Sequence, residues 1–302
     1  MKVIGVTGSE GAVGRPLVAA LEAAGFEVRR LDIALPVSDP GYGDVRDGRA
    51  VRRLVAGCNG IVHLAAVSRV VWGERDPEGC WEVNVEGTRR VLEAALDTRP
   101  APWLVFASSR EVYGPQVSLP VPEDAPRNPA NTYGRSKSAA ETVLEEAQGT
   151  AVRVAVLRLS NVYGGLHDHR DRVVPAFCRA AAEGGTMTVR GPNSTCDFTH
   201  IDDTVHGMML VVKRLDQGGT LPQPINLATG IGTTLARLAH LARDAGAGRA
   251  AIVEVEPETF AVDHFVGDPT RAREILGWTA TVPIEEGVAR LVHAHAAARH
   301  RG

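Results

Sequence analysis

Short apolar runs alternate with segments of helical spacing through the first 160 residues. The runs cover Lys2–Thr7, Glu27–Asp32, Gly60–Ala65, Trp103–Ser108 and Val152–Arg158, with a weaker one before Asp44. Between them Val13, Leu17 and Leu21 share one helical face, and Val51, Leu54 and Val55 another. Longer helices are predicted over about Cys80–Leu96 and Asn131–Ala147. Short apolar strands separated by such helices indicate a parallel sheet covered on both faces. Right-handed crossovers make that sheet doubly wound.

After about Ser160 the rhythm breaks. Helical patterns near Asp171–Glu183, Asp202–Arg214, Leu235–Arg243 and Pro283–Ala297 alternate with short strands around Met187–Val189, Ile225–Leu227 and Ile252–Val255. The second part therefore reads as a smaller, irregular α/β lobe. The expected division is 1–165 for the main sheet, with part of 199–230 returning to it, and 166–302 mainly for the second lobe.

Composition narrows the field. A formal net charge of −3 over 302 residues gives no electrostatic reason to expect nucleic acid as partner. No apolar run approaches the roughly 20 residues that span a bilayer. The N-terminus enters a strand pattern directly, without the regions of a signal peptide, so a cytoplasmic protein is expected. Cys58, Cys80, Cys178 and Cys196 are scattered and expected as free thiols. His167-Asp168-His169, with Asp171 nearby, lacks a further ligand by spacing; the segment reads as a solvated loop and no metal is expected.

The first candidate chemistry is the loop "TGSEGAVG" at Thr7–Gly14. Gly8, Gly11 and Gly14 follow a strand and open a helix, where main-chain N–H groups can wrap phosphate and the chain can approach a dinucleotide closely. Pro16 suits the first helical turn. Asp32 ends the second strand, where a carboxylate accepts both ribose hydroxyls of NAD and repels a 2′-phosphate. NAD is thus preferred to NADP, although Arg29 and Arg30 stand close by. Glu10 puts a negative charge at the middle of the loop; its side chain is expected to face water.

The second is "FASSREVYG" at Phe106–Gly114 with "NTYGRSK" at Asn131–Lys137. Tyr133 and Lys137 share one helix face. A phenol is a poor base at neutral pH, but an adjacent ammonium and a positive nicotinamide both favour tyrosinate. With Ser109 to polarise an oxygen, the trio suits hydride transfer between NAD and an alcohol or carbonyl.

With these motifs the chain resembles the extended short-chain dehydrogenase/reductases, specifically the NAD-dependent epimerase/dehydratase family of nucleotide-sugar enzymes. The likeness continues through "GDVRD" (Gly43–Asp47), "HLAA" (His63–Ala66), "NVEGTRRVLEAA" (Asn84–Ala95), "RLSNVYG" (Arg158–Gly164), "DFTHIDD" (Asp197–Asp203) and "LGW" (Leu276–Trp278). It implies a Rossmann-type sheet and a list of contacts. Ala12, Val13, Asp44, Val45, Leu64, Ala65, Ala66, Asn84 and Ser108 would join the glycines, Asp32, Tyr133 and Lys137 around the cofactor, Ala65 and Ala66 through their backbone. Ser68, Ser109, Arg110, Tyr133, Asn161, Val174, Thr188 and Arg190 would face the substrate, within segments Val173–Phe177 and Thr188–Arg190. The helices holding Asn84 and Tyr133 would pair two copies into a homodimer.

The chain also departs from that pattern. The family's 4,6-dehydratases follow the serine position with Asp-Glu; here the pair is Arg110-Glu111, and a guanidinium cannot donate the proton that water elimination needs. Cys196 and Glu258 occupy places where the family carries diphosphate-clamping arginines, a strong type of contact. Arg190, Arg110 or Arg69 could substitute, or the substrate could lack a diphosphate. The leading expectation is a nucleotide-sugar epimerase, most simply at C4. The alternatives are net NAD-dependent oxidation or reduction of a free sugar, sugar acid or related alcohol, and an NAD-binding regulator without catalysis.

Overall fold

The apolar stretches of the first half become the strands of one sheet. The structure is a computed structural model that describes residues 1–222, 224–256 and 264–299. Its first half runs β1 (Val3–Thr7), α1 (Gly14–Ala23), β2 (Glu27–Leu31), α2 (Gly48–Val55), β3 (Gly60–His63), α3 (Val70–Arg75) and α4 (Pro77–Trp81). A π-helical turn at Glu82–Glu86 joins α4 to α5 (Gly87–Asp97); then come β4 (Trp103–Ser109), α6 (Thr132–Glu145) and β5 (Val154–Leu159). The weak strand expected before Asp44 is absent: only one bridge, Asp32 to Tyr42, forms there. The helix expected over Cys80–Leu96 is three segments, because the π turn interrupts it.

The second half contains β6 (Asn161–Tyr163), α7 (Val173–Glu183), β7 (Thr186–Arg190), β8 (Thr195–His200), α8 (Ile201–Asp216) and β9 (Ile225–Leu227). It closes with β10 (Gly232–Thr234), α9 (Leu235–Ala245), β11 (Ala251–Val255), β12 (His264–Phe265), α10 (Thr270–Leu276) and α11 (Ile284–Arg299).

Six parallel strands make the main sheet, in the order β2-β1-β3-β4-β5-β9. All seven positions of β4, its fourth strand, are buried, as expected where helices cover both faces. Ile4, Leu17, Val105, Leu157 and Met208 pack on one face; Val51, Ile61, Leu104, Phe106 and Ala140 pack on the other. A third core, with Phe177, Leu238 and Leu291, lies under β7 and β8 in the second half. Each fully buried Leu, Ile or Phe contributes about 1.5–3 kcal/mol.

Two acidic residues of the "DFTHIDD" stretch fasten these parts together. Asp197 accepts hydrogen bonds from Thr229 N (2.9 Å), Thr229 Oγ1 (2.8 Å), Gly230 N (3.0 Å) and Gly267 N (3.2 Å). Asp203 accepts from Thr281 N, Thr281 Oγ1 and Val282 N, while its carbonyl receives the indole N–H of the fully buried Trp278 at 2.9 Å. Among the described residues no helix is long and apolar enough to cross a membrane. All four cysteines are free and buried.

Candidate active site

At the end of β1 the chain turns through Gly8 at φ +69°. A Cβ there would stand 2.6 Å from Ala65 N, and one on Gly14 would stand 2.0 Å from the Gly8 carbonyl. Neither position admits a side chain, so main chain alone faces whatever occupies the loop. Ser9 Oγ lies buried in the same loop with no hydrogen-bond partner.

Glu10 answers for its charge in another way than expected. Its side chain does not face open water: only 14% is exposed, and it pairs with Arg15 Nη2 at 2.9 Å and Arg30 Nη1 at 3.4 Å. Its amide donates to Asp32 Oδ2 at 2.8 Å, and Ala34 N donates to Asp32 Oδ1 at 2.8 Å. Asp32 is therefore held in place with acceptor capacity left for a ribose. Arg30 is shared between Glu10 and Asp39, and Arg29 donates to the Ala56 carbonyl. Both cations near Asp32 are thus committed elsewhere, which favours a ribose hydroxyl over a 2′-phosphate. The loop, the carboxylate and its surroundings fit NAD.

A directed hydrogen-bond chain supports this loop from behind. Thr88 Oγ1 donates to the Asn84 carbonyl at 2.6 Å, which spends its one proton. His63 Nε2, 3.0 Å away, must then be the donor to Thr88, so His63 Nδ1 accepts from Thr7 Oγ1 at 2.7 Å. The imidazole is neutral: complete burial, with the Lys137 charge adding, pushes it down to about 3. Thr7 Oγ1 in turn receives Leu64 N and Ala65 N, each at 3.2 Å.

Several residues expected at the cofactor also hold the frame. The Asn84 amide brackets Val67, accepting from its N–H at 2.8 Å and donating to its carbonyl at 3.1 Å, and also donates to Ser136 Oγ at 2.8 Å. No side-chain donor is left, because both amide protons are used. Ser108 donates its hydroxyl to Glu141, so its side chain is turned to the interior. Val45 is core, packed with Leu31 and Ala50. Asp44 grips Arg46, whose main-chain N–H lies 2.8 Å away. The Ala65 N–H is spent on Thr7.

Ser109 ends β4, and Tyr133 and Lys137 lie one turn apart on α6. Asn131 caps that helix, accepting from Gly134 N at 2.8 Å, and donates to Glu111 Oε2 at 2.8 Å. All three candidate catalytic residues line one cleft of about 430 Å³, within the range of small-molecule sites. Tyr133 is not a ready tyrosinate. Burial pushes its phenol up to about 12, against the opposing effect of the Ser109 hydroxyl. Lys137 is buried as well, which pushes its ammonium down to about 8. It donates to the Ala107 carbonyl at 2.8 Å and rests 4.6 Å over the Phe106 ring. Of the two influences expected to favour tyrosinate, the nicotinamide arrives only with the cofactor, and burial raises the phenol before it does.

The helix is locked to the strand by a buried ion pair one turn beyond Lys137. Glu141 receives Arg158 Nε at 3.0 Å and Arg158 Nη2 at 2.7 Å, with both side chains 4% exposed.

On the substrate side, Ser68, Ser109, Arg110, Tyr133, Asn161 and Val174 line the cleft. Arg110 is partly engaged: Nη2 pairs with Glu111 at 2.8 Å, Nε donates to Asn161 Oδ1 at 3.3 Å and the guanidinium lies 5.6 Å over Phe265, while Nη1 is buried without a partner. Thr188 and Arg190 are not brought to the cleft. They occupy the exposed face of the two-stranded β7–β11 sheet. Phe177 belongs to the third core rather than to the cleft wall. Cys196 is buried between β10 and β12, and Glu258 lies outside the described residues.

Arg172, Asp168, Glu111 and Phe198 also line the cleft, beyond the residues that the motifs point to. Nor is the segment after Gly165 simply solvated. Asp168 is buried and receives Arg172 at 3.3 Å, while His169 meets the Trp72 ring edge-on at 4.6 Å. A signal was present in Asp168 and Arg172, four residues apart with opposite charge. Among the described residues no group of three or more metal-ligating side chains comes together.

A six-stranded parallel sheet, a glycine loop followed by an acidic strand end, and a Ser–Tyr–Lys cleft define a Rossmann-fold dehydrogenase-like enzyme. Residues 4–228 match the NAD dependent epimerase/dehydratase family, and the chain belongs to it. A UDP-glucose 4-epimerase of Mycolicibacterium smegmatis is 32% identical over 237 residues, 77% of this chain and 74% of that protein. A dTDP-glucose 4,6-dehydratase of Streptomyces griseus is 29% identical over 283 residues, 91% and 84% of the two chains. UDP-glucuronic acid decarboxylases stand at similar identity. Among solved structures, MoeE5 in complex with UDP-glucose and NAD superposes with a TM-score of 0.88 at 26% identity, covering 100% of both chains. NAD is the cofactor of this family, and the loop and Asp32 described above fit it.

Proposed function

We propose that this enzyme is an NAD-dependent nucleotide-sugar epimerase, acting most simply at C4. The observation that carries the reading is the Arg110–Glu111 ion pair beside an intact Ser109, Tyr133 and Lys137. It leaves proton transfer at one oxygen available and offers no acid at the position following Ser109 for expelling water. Similarity to UDP-glucose 4-epimerases supports the same conclusion.

NAD, when bound, supplies the hydride acceptor and returns the hydride. The chain's own residues handle the proton. Tyr133 takes it from the C4 hydroxyl as the C–H bond breaks, leaving a 4-keto sugar. Ser109 donates a hydrogen bond to that oxygen, and Lys137 opposes the phenolate charge. Once the keto sugar has turned its other face, Tyr133 returns the proton to the same oxygen and the opposite C4 configuration results. In this reading residues 1–165, with part of 199–230, hold NAD and 166–302 mainly hold the substrate. Two copies pair through the helices carrying Asn84 and Tyr133, in the cytoplasm.

The decisive assay incubates the protein with UDP-glucose and UDP-galactose and follows both by chromatography. Interconversion without net NADH supports the reading. A second reading, net oxidation of a free sugar or sugar acid, is favoured by Cys196 at a clamp position. Steady NADH accumulation with such a substrate, and no interconversion, would replace the first reading by the second.

A further inference from the structure

Among the described residues three arginines line the cleft, and each is already paired: Arg110 with Glu111, Arg172 with Asp168 and Arg69 with Asp171. The partners differ in how freely they can leave. The Glu111 and Asp168 side chains are only 8% and 3% exposed. Each also receives a second hydrogen bond, Glu111 from Asn131 and Asp168 from His169 N. Stripping either arginine away would strand a buried carboxylate, which is strongly unfavourable. Asp171 is 68% exposed and would return to water at little cost. Arg69, in contrast, is 12% exposed and lies 5.8 Å over the Trp72 ring, so its guanidinium stays in the cleft when its partner goes.

We propose that Arg69 binds the anionic group of the substrate, and that Asp171 holds its place until the substrate exchanges for it. The proposal rests on and deepens the reading of the cleft as a nucleotide-sugar site, and names a cation for a chain that carries Cys196 at one expected clamp position. The anion is the diphosphate of a sugar nucleotide or the carboxylate of a sugar acid; both accept the two-pronged guanidinium in the same way.

The test is calorimetric titration of the full-length protein, with NAD present, by UDP, D-glucuronate and D-glucose. Wild type is compared with Asp171→Asn, Arg69→Met, Arg69→Lys and the Asp171→Asn/Arg69→Met double variant. Removing the competing carboxylate in Asp171→Asn tightens the anion about two- to fivefold. Arg69→Met weakens it about ten- to a hundredfold, and Arg69→Lys by less. In the Arg69→Met background Asp171→Asn has no effect. Glucose affinity is unchanged throughout. A response confined to UDP identifies phosphate as the anion, and one confined to glucuronate identifies the carboxylate.

If the wild type binds UDP but neither anion responds to the substitutions, the exchange is overturned while the proposed function stands. If UDP neither binds nor competes with turnover, the nucleotide-sugar reading falls and the glucuronate arm alone decides the exchange. Melting temperatures of each variant separate a lost contact from a lost fold.

Discussion

One wall of the cleft stands on β4 and α6, whose facing side chains are buried and joined by the Ser108–Glu141 hydrogen bond, with Arg158 of the neighbouring β5 paired to the same Glu141. The other stands on the segment between β6 and α7, where Asp171 is exposed and Asp168 and Arg172 hold each other. The first wall carries Ser109, Tyr133 and Lys137, which the proposed reaction requires to be held to a fraction of an ångström. The second carries one exposed carboxylate, Asp171, which in the proposed exchange gives way to the substrate. The contrast teaches that, in the proposed reading, the chemistry stands on rigid interior elements while one partner of the recognition arginine is left where water can reach it.

The largest test of that contrast is at the chemical step. Tyr133→Phe should lower sugar interconversion about a thousandfold, with NAD binding retained by fluorescence titration. Loss of NAD binding along with activity would place the phenol in the frame rather than the reaction. Next, Glu141→Ala should strand Arg158 inside and cost about 3 kcal/mol in urea unfolding, whereas Asp171→Ala should cost under about 1 kcal/mol. Equal losses would erase the difference between the walls.

Smaller effects concern protons. His63 has its pKa pushed down to about 3 in the fold against 6.5 when free. Its contribution to stability is whole above pH 6.5 and is lost as pH falls from 6.5 toward 3, by up to about 1.4 kcal/mol per unit. Thermal melts of wild type and His63→Gln should therefore converge as pH drops through this window. The tyrosinate absorbance that Tyr133→Phe removes should titrate near 12 without NAD and lower with it. The smallest effect is expected at the glycine loop. Glu10→Gln should change stability by about 1 kcal/mol or less and leave NAD affinity within twofold. A tenfold gain in affinity would mean that the carboxylate reaches the phosphate after all.

The sequence made the first wall legible because its signals are local. Apolar runs such as Trp103–Ser108 can only be buried strands, and Tyr133 and Lys137 are one helical turn apart. The second half was harder. "TCDFTH" at Thr195–His200 alternates poorly, and becomes a strand because β6, β10 and β12 pair with it from distant parts of the chain. Arg69 and Asp171 are 102 positions apart, and nothing in either segment announces the other. Asn84 shows the complement: its motif is visible, yet that its amide serves Val67 and Ser136 is defined only by the folded contacts.

The sixth strand has a practical consequence. Leu157, Arg158 and Leu159 of β5 are paired along their outer side by Ile225, Asn226 and Leu227, which arrive only after the chain has built β6 to α8. A fragment ending near residue 165 would leave that side as a raw, largely apolar edge open to another molecule's backbone. The main sheet is thus finished by a strand from the second half of the chain, and separate expression of residues 1–165 should yield aggregates rather than a miniature domain.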